Sequence, residues 1–241
     1  MRSRSSLRSS LFLAVVTAVV AVSATATAAP SSHAAVMPVV SHPVGRSYGE
    51  WSAMWWQWAY SLPVNRHPLF DTADCSEGQS GKVWFLGGAF QFDEAPNGDV
   101  VADKDRECTV PKGTFLFVPI INAEAATLEG NGTTEQELRS AAEEFQNAAQ
   151  NMSMSIDGVP VADVNSFRVQ SPLFIYGPLP DSNVLQFFGF NAPAGAASLA
   201  AGDGVYVMVR PLQPGTHIIE FHGEVPSFRL FLDISYQVTV A

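Results

Sequence analysis

Residues 228–240, FRLFLDISYQVTV, decide the fold class. Phe228, Leu230, Leu232, Ile234, Tyr236, Val238 and Val240 alternate with Arg229, Asp233, Ser235, Gln237 and Thr239, and Phe231 alone breaks the rule. Period 2 puts one face in a core and the other in water, as in a half-buried strand. Upstream, His217–His222 and Val205–Leu212 are joined across Pro214-Gly215, a type II turn pair. Further candidate strands are Asn183–Phe188 and Phe167–Tyr176. Met152–Ile156 and Val159–Val161, linked by Asp157-Gly158, carry a hairpin signal. Earlier still come Thr114–Ile121, where Pro119 marks an edge or a bulge, and the buried run Val83–Leu86. The expectation is a mainly β chain forming an antiparallel β-sandwich of jelly-roll or immunoglobulin-like topology.

Two helices stand out against this pattern. In residues 47–63, SYGEWSAMWWQWAYSLP, four of the chain's five tryptophans fall within eight residues. Ser47 and Glu50 form a capping box, and Pro63 ends the helix. Trp51, Met54, Trp55, Trp58 and Leu62 share one helical stripe. Trp56 and Tyr60 point the opposite way. Either this helix is covered on both sides, or Trp56 and Tyr60 form an exposed platform for a binding partner. The second helix is capped by Thr133 or Thr134 and carries a narrow stripe of Leu138, Ala141, Ala142, Phe145 and Ala149. It reads as a surface helix packed on a sheet.

The N-terminus reads as an export signal. Arg2, Arg4 and Arg8 precede the apolar run Leu11–Val22, and the Ala24–Ala28 stretch fits a small-residue cleavage site, so residues 1–28 read as a signal peptide. The run is too short for a membrane span. Residues 29–46 read as a flexible lead-in and 47–241 as a single domain. Loss of the signal removes three of thirteen Lys and Arg but none of the 23 Asp and Glu, taking the net charge from −10 to −13. Such a surface repels nucleic acid and anionic lipid. The expected location is secreted or extracellular, with the periplasm as alternative. Cys75 and Cys108, a lone pair in an exported chain, are expected to form a disulfide worth about 3–4 kcal/mol.

Chemistry-bearing residues are sparse. No G-x-S-x-G, H-E-x-x-H or P-loop motif occurs. The acidic loops 64–81 and 93–107 would be drawn together by the disulfide. Asp103, Asp105 and Glu107 have the stagger of calcium ligands, although solvated acidic loops are commoner, so the expectation is no cofactor, with calcium as the alternative. His217 and His222 would need a third ligand such as His67 to hold a transition metal. Glu50, Glu124, Glu129 and Glu220 lie near apolar elements, where burial can raise a carboxyl pKa. Glu124, just past TFLFVPII, is the leading catalytic candidate, with Asp74 as partner.

The run W-x-x-x-W-W-x-W, GKVWFLGG, VPKGTFLFVP and PGTHIIEFHG together resemble an uncharacterised family of secreted bacterial proteins, over about Tyr48 to Val240. The resemblance implies export and a single domain; no activity or site residue comes with it. The residues favour a secreted binding or structural module that contacts polysaccharide or another envelope protein through Trp56 and Tyr60, leaning away from catalysis. The alternatives are a secreted glycan hydrolase with paired carboxylates and a calcium-stabilised extracellular protein.

Overall fold

A computed structural model describes residues 35–241. The signal segment and its cleavage site lie outside the described residues. In chain order the elements are α1 (Tyr48–Ser61), β1 (Val83–Phe85), β2 (Asp93–Glu94), β3 (Val100–Val110), β4 (Phe115–Ala126) and α2 (Glu135–Asn147). Then follow β5 (Gln150–Ile156), β6 (Val159–Pro160), β7 (Arg168–Gln170), β8 (Phe174–Tyr176), α3 (Val184–Phe187), β9 (Ser198–Val209), β10 (Gly215–Val225) and β11 (Leu230–Val240).

The chain is mainly β, with two sheets. One runs β1-β4-β9-β7, with β8 also on β9; the other runs β2-β3-β11-β10-β5-β6. Both are mixed rather than wholly antiparallel, because β1 pairs with β4 and β3 with β11 in parallel. Long crossovers make these pairings possible; a tight turn could not. Leu116, Val118, Val205 and Val207 from the first sheet meet Ile219, Phe221, Ile234 and Val238 from the second in one buried cluster. The other face of the first sheet packs Phe117, Tyr206 and Met208 against α1.

Helix α1 begins with the expected capping box, Ser47 and Glu50 each satisfying the other's backbone N–H. It is covered on both sides. Trp51, Trp55 and Trp58 are buried, and so are Trp56, at 6% exposure, and Tyr60, at 5%. The exposed aromatic platform is therefore corrected: the second stripe faces protein. Helix α2 has its capping box at Thr134 and Glu137 and buries Leu138 and Ala142.

Other expectations change for physical reasons. Residues 100–107 are strand, not loop. Asp103, Asp105 and Glu107 take its exposed face while Lys104 and Arg106 point to the half-buried one, so a dense charge run conceals a period-2 pattern. Asn183–Phe188 is not a strand; Asn183 caps the short helix α3 through the Gln186 N–H. Phe167–Tyr176 is split into β7 and β8 around Ser171-Pro172. Phe228 lies in a turn before β11 and is 54% exposed. The lead-in is fastened from Ala35 onward: Val36 bridges Val209, and the Met37 carbonyl accepts from the Tyr48 hydroxyl.

Cys75 and Cys108 are bonded, and among the described residues no helix is long and apolar enough to cross a membrane.

Candidate functional site

The site starts from a bulge. Before it, Leu116 and Val118 of β4 face the inter-sheet core while Phe117 faces α1. Between Pro119 and Asn122 the register with β9 shifts. Beyond the shift the alternation is inverted: Ile121 faces the inter-sheet core, and Glu124 and Ala126 turn toward α1. One extra residue thus carries a carboxyl group to a face that the regular pleat would deny it.

Glu124 meets Tyr60 there. The Tyr60 hydroxyl donates to Glu124 Oε1 at 2.6 Å. Five residues on, the single turn Thr127–Glu129 carries Glu129 back toward the same point, and the Tyr176 hydroxyl donates to Glu129 Oε1 at 2.9 Å. This turn is pinned by Leu128 N–H donating to Ser198 Oγ and by Ala126 N–H donating to Asn131 Oδ1. The carboxyl groups of Glu124 and Glu129 are thereby brought into one cluster, since the rings of the two tyrosines that hold them, Tyr60 and Tyr176, meet edge to face with centroids 4.6 Å apart. Two phenols and two carboxyls close a ring.

Burial raises both carboxyl pKa values, and for Glu124 the neighbouring Glu129 charge adds to the rise. Burial and the carboxylates beside it push the Tyr60 phenol well up as well. Two neighbouring acids cannot both ionise cheaply, so the protonated form of one of them is favoured. Without that proton nothing donates to Glu124 Oε2, which is shut from solvent.

A cavity of about 400 Å³ opens from this ring. Trp55, Trp56, Tyr60 and Phe90 are among its walls, and Glu124 and Glu129 among its polar groups. Phe188, Phe190 and Phe228, all substantially exposed, border it as well. Its size is that of a small-molecule site. Trp51, Trp55 and Trp58 each donate their indole N–H to a backbone carbonyl. Trp56 does not: its Nε1, with Asn122 Nδ2 and the Tyr206 hydroxyl close by, is buried without a partner.

Behind the wall sits His67, fully buried, its ring 5.4 Å from that of Phe90. Nδ1 accepts from Leu69 N–H, so Nε2 carries the proton donated to the Ala59 carbonyl. An imidazolium would set two donors against each other at Nδ1, and burial holds the pKa down at about 4. Because that value lies below the ordinary 6.5, His67 contributes stability that is full above about 6.5 and lost as pH falls through about 4. Denaturant melts should register a loss of about 3 kcal/mol across this window, absent in His67→Gln. A wild-type stability no more acid-sensitive than the variant's would contradict burial of the neutral ring.

The remaining sequence candidates do not converge on the cavity. Asp74 is exposed and accepts from Ser76 N–H in its own turn, so it is not the partner of Glu124; Glu129 is. Asp103, Asp105 and Glu107 spread along an exposed strand face, and among the described residues no three His, Cys, Asp or Glu side chains gather to hold a metal. The calcium assignment is withdrawn for these residues. His222 bridges Asp233 and Glu224, and His217 bonds Asp157 and the Gln213 carbonyl, which engages both ring nitrogens of each. Glu50 caps α1, and Glu220 accepts from Ser155. Sequence reading missed Tyr176, Phe90 and Asn122. Its usable signals were Glu124 and Glu129, acids lying near apolar elements.

No protein-family model matches the chain, and no curated protein matches it significantly. Among solved structures it is similar to a cysteine protease inhibitor from Entamoeba histolytica, at 10% identity over 66% of this chain and 96% of that one, with a TM-score of 0.22. PbICP-C, solved in complex with falcipain-2, matches at 14% identity over 67% and 100%, with a TM-score of 0.24. Amebosin matches at 9% identity over 67% and 100%, with a TM-score of 0.22. Superpositions this loose carry neither fold nor function.

Proposed function

We propose that the protein is an exported, single-domain β-sandwich that binds a small amphipathic molecule in the aromatic cavity. The apolar body of the ligand lies among Trp55, Trp56, Tyr60 and Phe90, and its polar end reaches Glu124 and Glu129. The observation that supports this reading is a pair of carboxyl groups, Glu124 and Glu129, set in a cavity whose lining is otherwise mostly aromatic and aliphatic. Binding remains the role assigned to Trp56 and Tyr60, now as parts of a cavity wall and not as a surface platform. A buried wall does not serve a long polysaccharide or a flat envelope partner.

The glycan-hydrolase alternative is less well served. Retaining glycosidases hold their carboxyls about 5 Å apart and inverting ones further, to leave space for the sugar or a water. Glu124 and Glu129 instead crowd into one cluster, each with a carboxyl oxygen already taken by a tyrosine hydroxyl.

Titration with a panel of small aromatic and short acyl compounds tests the proposal. Ligands should alter the fluorescence of Trp55 and Trp56 and raise the melting temperature by mass action. Ala123→Trp, which fills the cavity from its lining, should abolish both responses. A panel without any response from the wild-type protein overturns the proposal.

A further inference from the structure

We infer that the cavity's ligand is an organic cation, a protonated amine on an aromatic or short alkyl body. The inference rests on the binding role proposed above and names the chemical class. Among the residues lining the cavity there is no Lys, Arg or His, while two carboxyl groups are present. The titratable groups facing the pair are the phenols of Tyr60 from α1 and Tyr176 from β8, and neither supplies positive charge. Ser198 of β9 and Asn131 lie nearby and are neutral.

Two neighbouring half-buried acids have two ways to become satisfied. One is a proton held between them. The other is an incoming N–H donor that carries a positive charge. An alkylammonium in the cavity provides both N–H donors and the charge that lets Glu124 and Glu129 ionise together. The aromatic walls suit the same ligand, because indole and phenyl faces attract ammonium groups in a desolvated site. An anionic ligand would meet like charge, and a neutral one would leave the carboxyl proton where it is. The chain's formal charge of −10 also draws cations toward the protein over long range.

The exchange balances as follows. The Glu124–Glu129 pair, carrying one proton and one negative charge, takes up R–NH₃⁺ and releases its proton to the buffer. The resulting complex holds two carboxylates and one ammonium. No bond other than the O–H is broken.

Calorimetry of the full chain with phenethylamine, in two buffers of different ionisation enthalpy at neutral pH, tests this. The expected result is uptake of the amine with release of about one proton per molecule bound. Phenethyl alcohol, the neutral isostere, should bind about tenfold or more weakly. Glu129→Gln should remove most of that preference by weakening the amine far more than the alcohol, and Glu124→Gln should do the same. Equal affinity for amine and alcohol, or amine binding without proton release, overturns the cation assignment and leaves the binding role standing. Failure of both compounds, together with a silent panel, overturns the binding role and the cation assignment together.

Discussion

Replacing Trp55 by alanine is expected to lower the stability of the protein by about 4–5 kcal/mol, the upper range for truncating a buried aromatic ring. Trp55 is 2% exposed and packs edge-on against Trp56, Trp58 and Phe90, with centroids 4.8, 5.9 and 6.5 Å away. Its Nε1 donates to the Leu86 carbonyl at 2.7 Å, which ties α1 to the end of β1. Gly87 leaves the ring its place: a Cβ there would lie 2.8 Å from Trp55 Cζ2. Truncation opens a void, orphans a buried carbonyl and loosens the cavity wall together. Denaturant melts measure the loss, and Trp55→Phe, which keeps a ring but not the N–H, should recover more than half of it. A cost for Trp55→Ala within the range of ordinary surface changes, about 0.5 kcal/mol, would contradict the central place given to this ring.

Removing the disulfide is the second large effect. Cys75 and Cys108 are separated by 33 residues, and on the chain-entropy account closing such a loop is worth about 4 kcal/mol. Both sulfurs are buried in the inter-sheet cluster. The Cys75→Ser/Cys108→Ser protein should therefore unfold at markedly lower denaturant while still folding, because Arg106 and Asp71 join the same two segments by an ion pair. The wild-type protein treated with reductant under native conditions should lose its disulfide only as fast as it unfolds. Rapid reduction without unfolding, or an unchanged midpoint in the double variant, would contradict the assignment.

The parts of the fold that were legible in the chain are those where one local rule acts alone. The alternation in residues 230–240, the capping boxes at Ser47 and Thr134, and the cysteine pair each state their structure in a short window. The misread parts are those where two rules compete. Asp103 to Glu107 is polar enough to pass for a loop, yet its alternation places Lys104 and Arg106 against Asp71 and Tyr236. Asn183 to Phe188 has the aromatic content of a strand, and the Asn183 cap overrides it. The site was half legible. Glu124 and Glu129 could be suspected from their apolar neighbours. Their meeting could not be, because it depends on a bulge at Pro119–Asn122 and on Tyr176, a residue 52 positions from Glu124 along the chain.

The parallel pairing of β3 with β11 sets the timing of folding. Val100 lies beside Leu230 and Val110 beside Val240, and Ala241 exchanges backbone hydrogen bonds with Lys112 and Val110. A chain emerging from its N-terminus would carry β3 without its β11 neighbour until residues 230–240 appear. Contacts so distant in sequence form slowly. The molecule is consequently intolerant of C-terminal trimming, and loss of β11 would bare the edges of β3 and β10 at once.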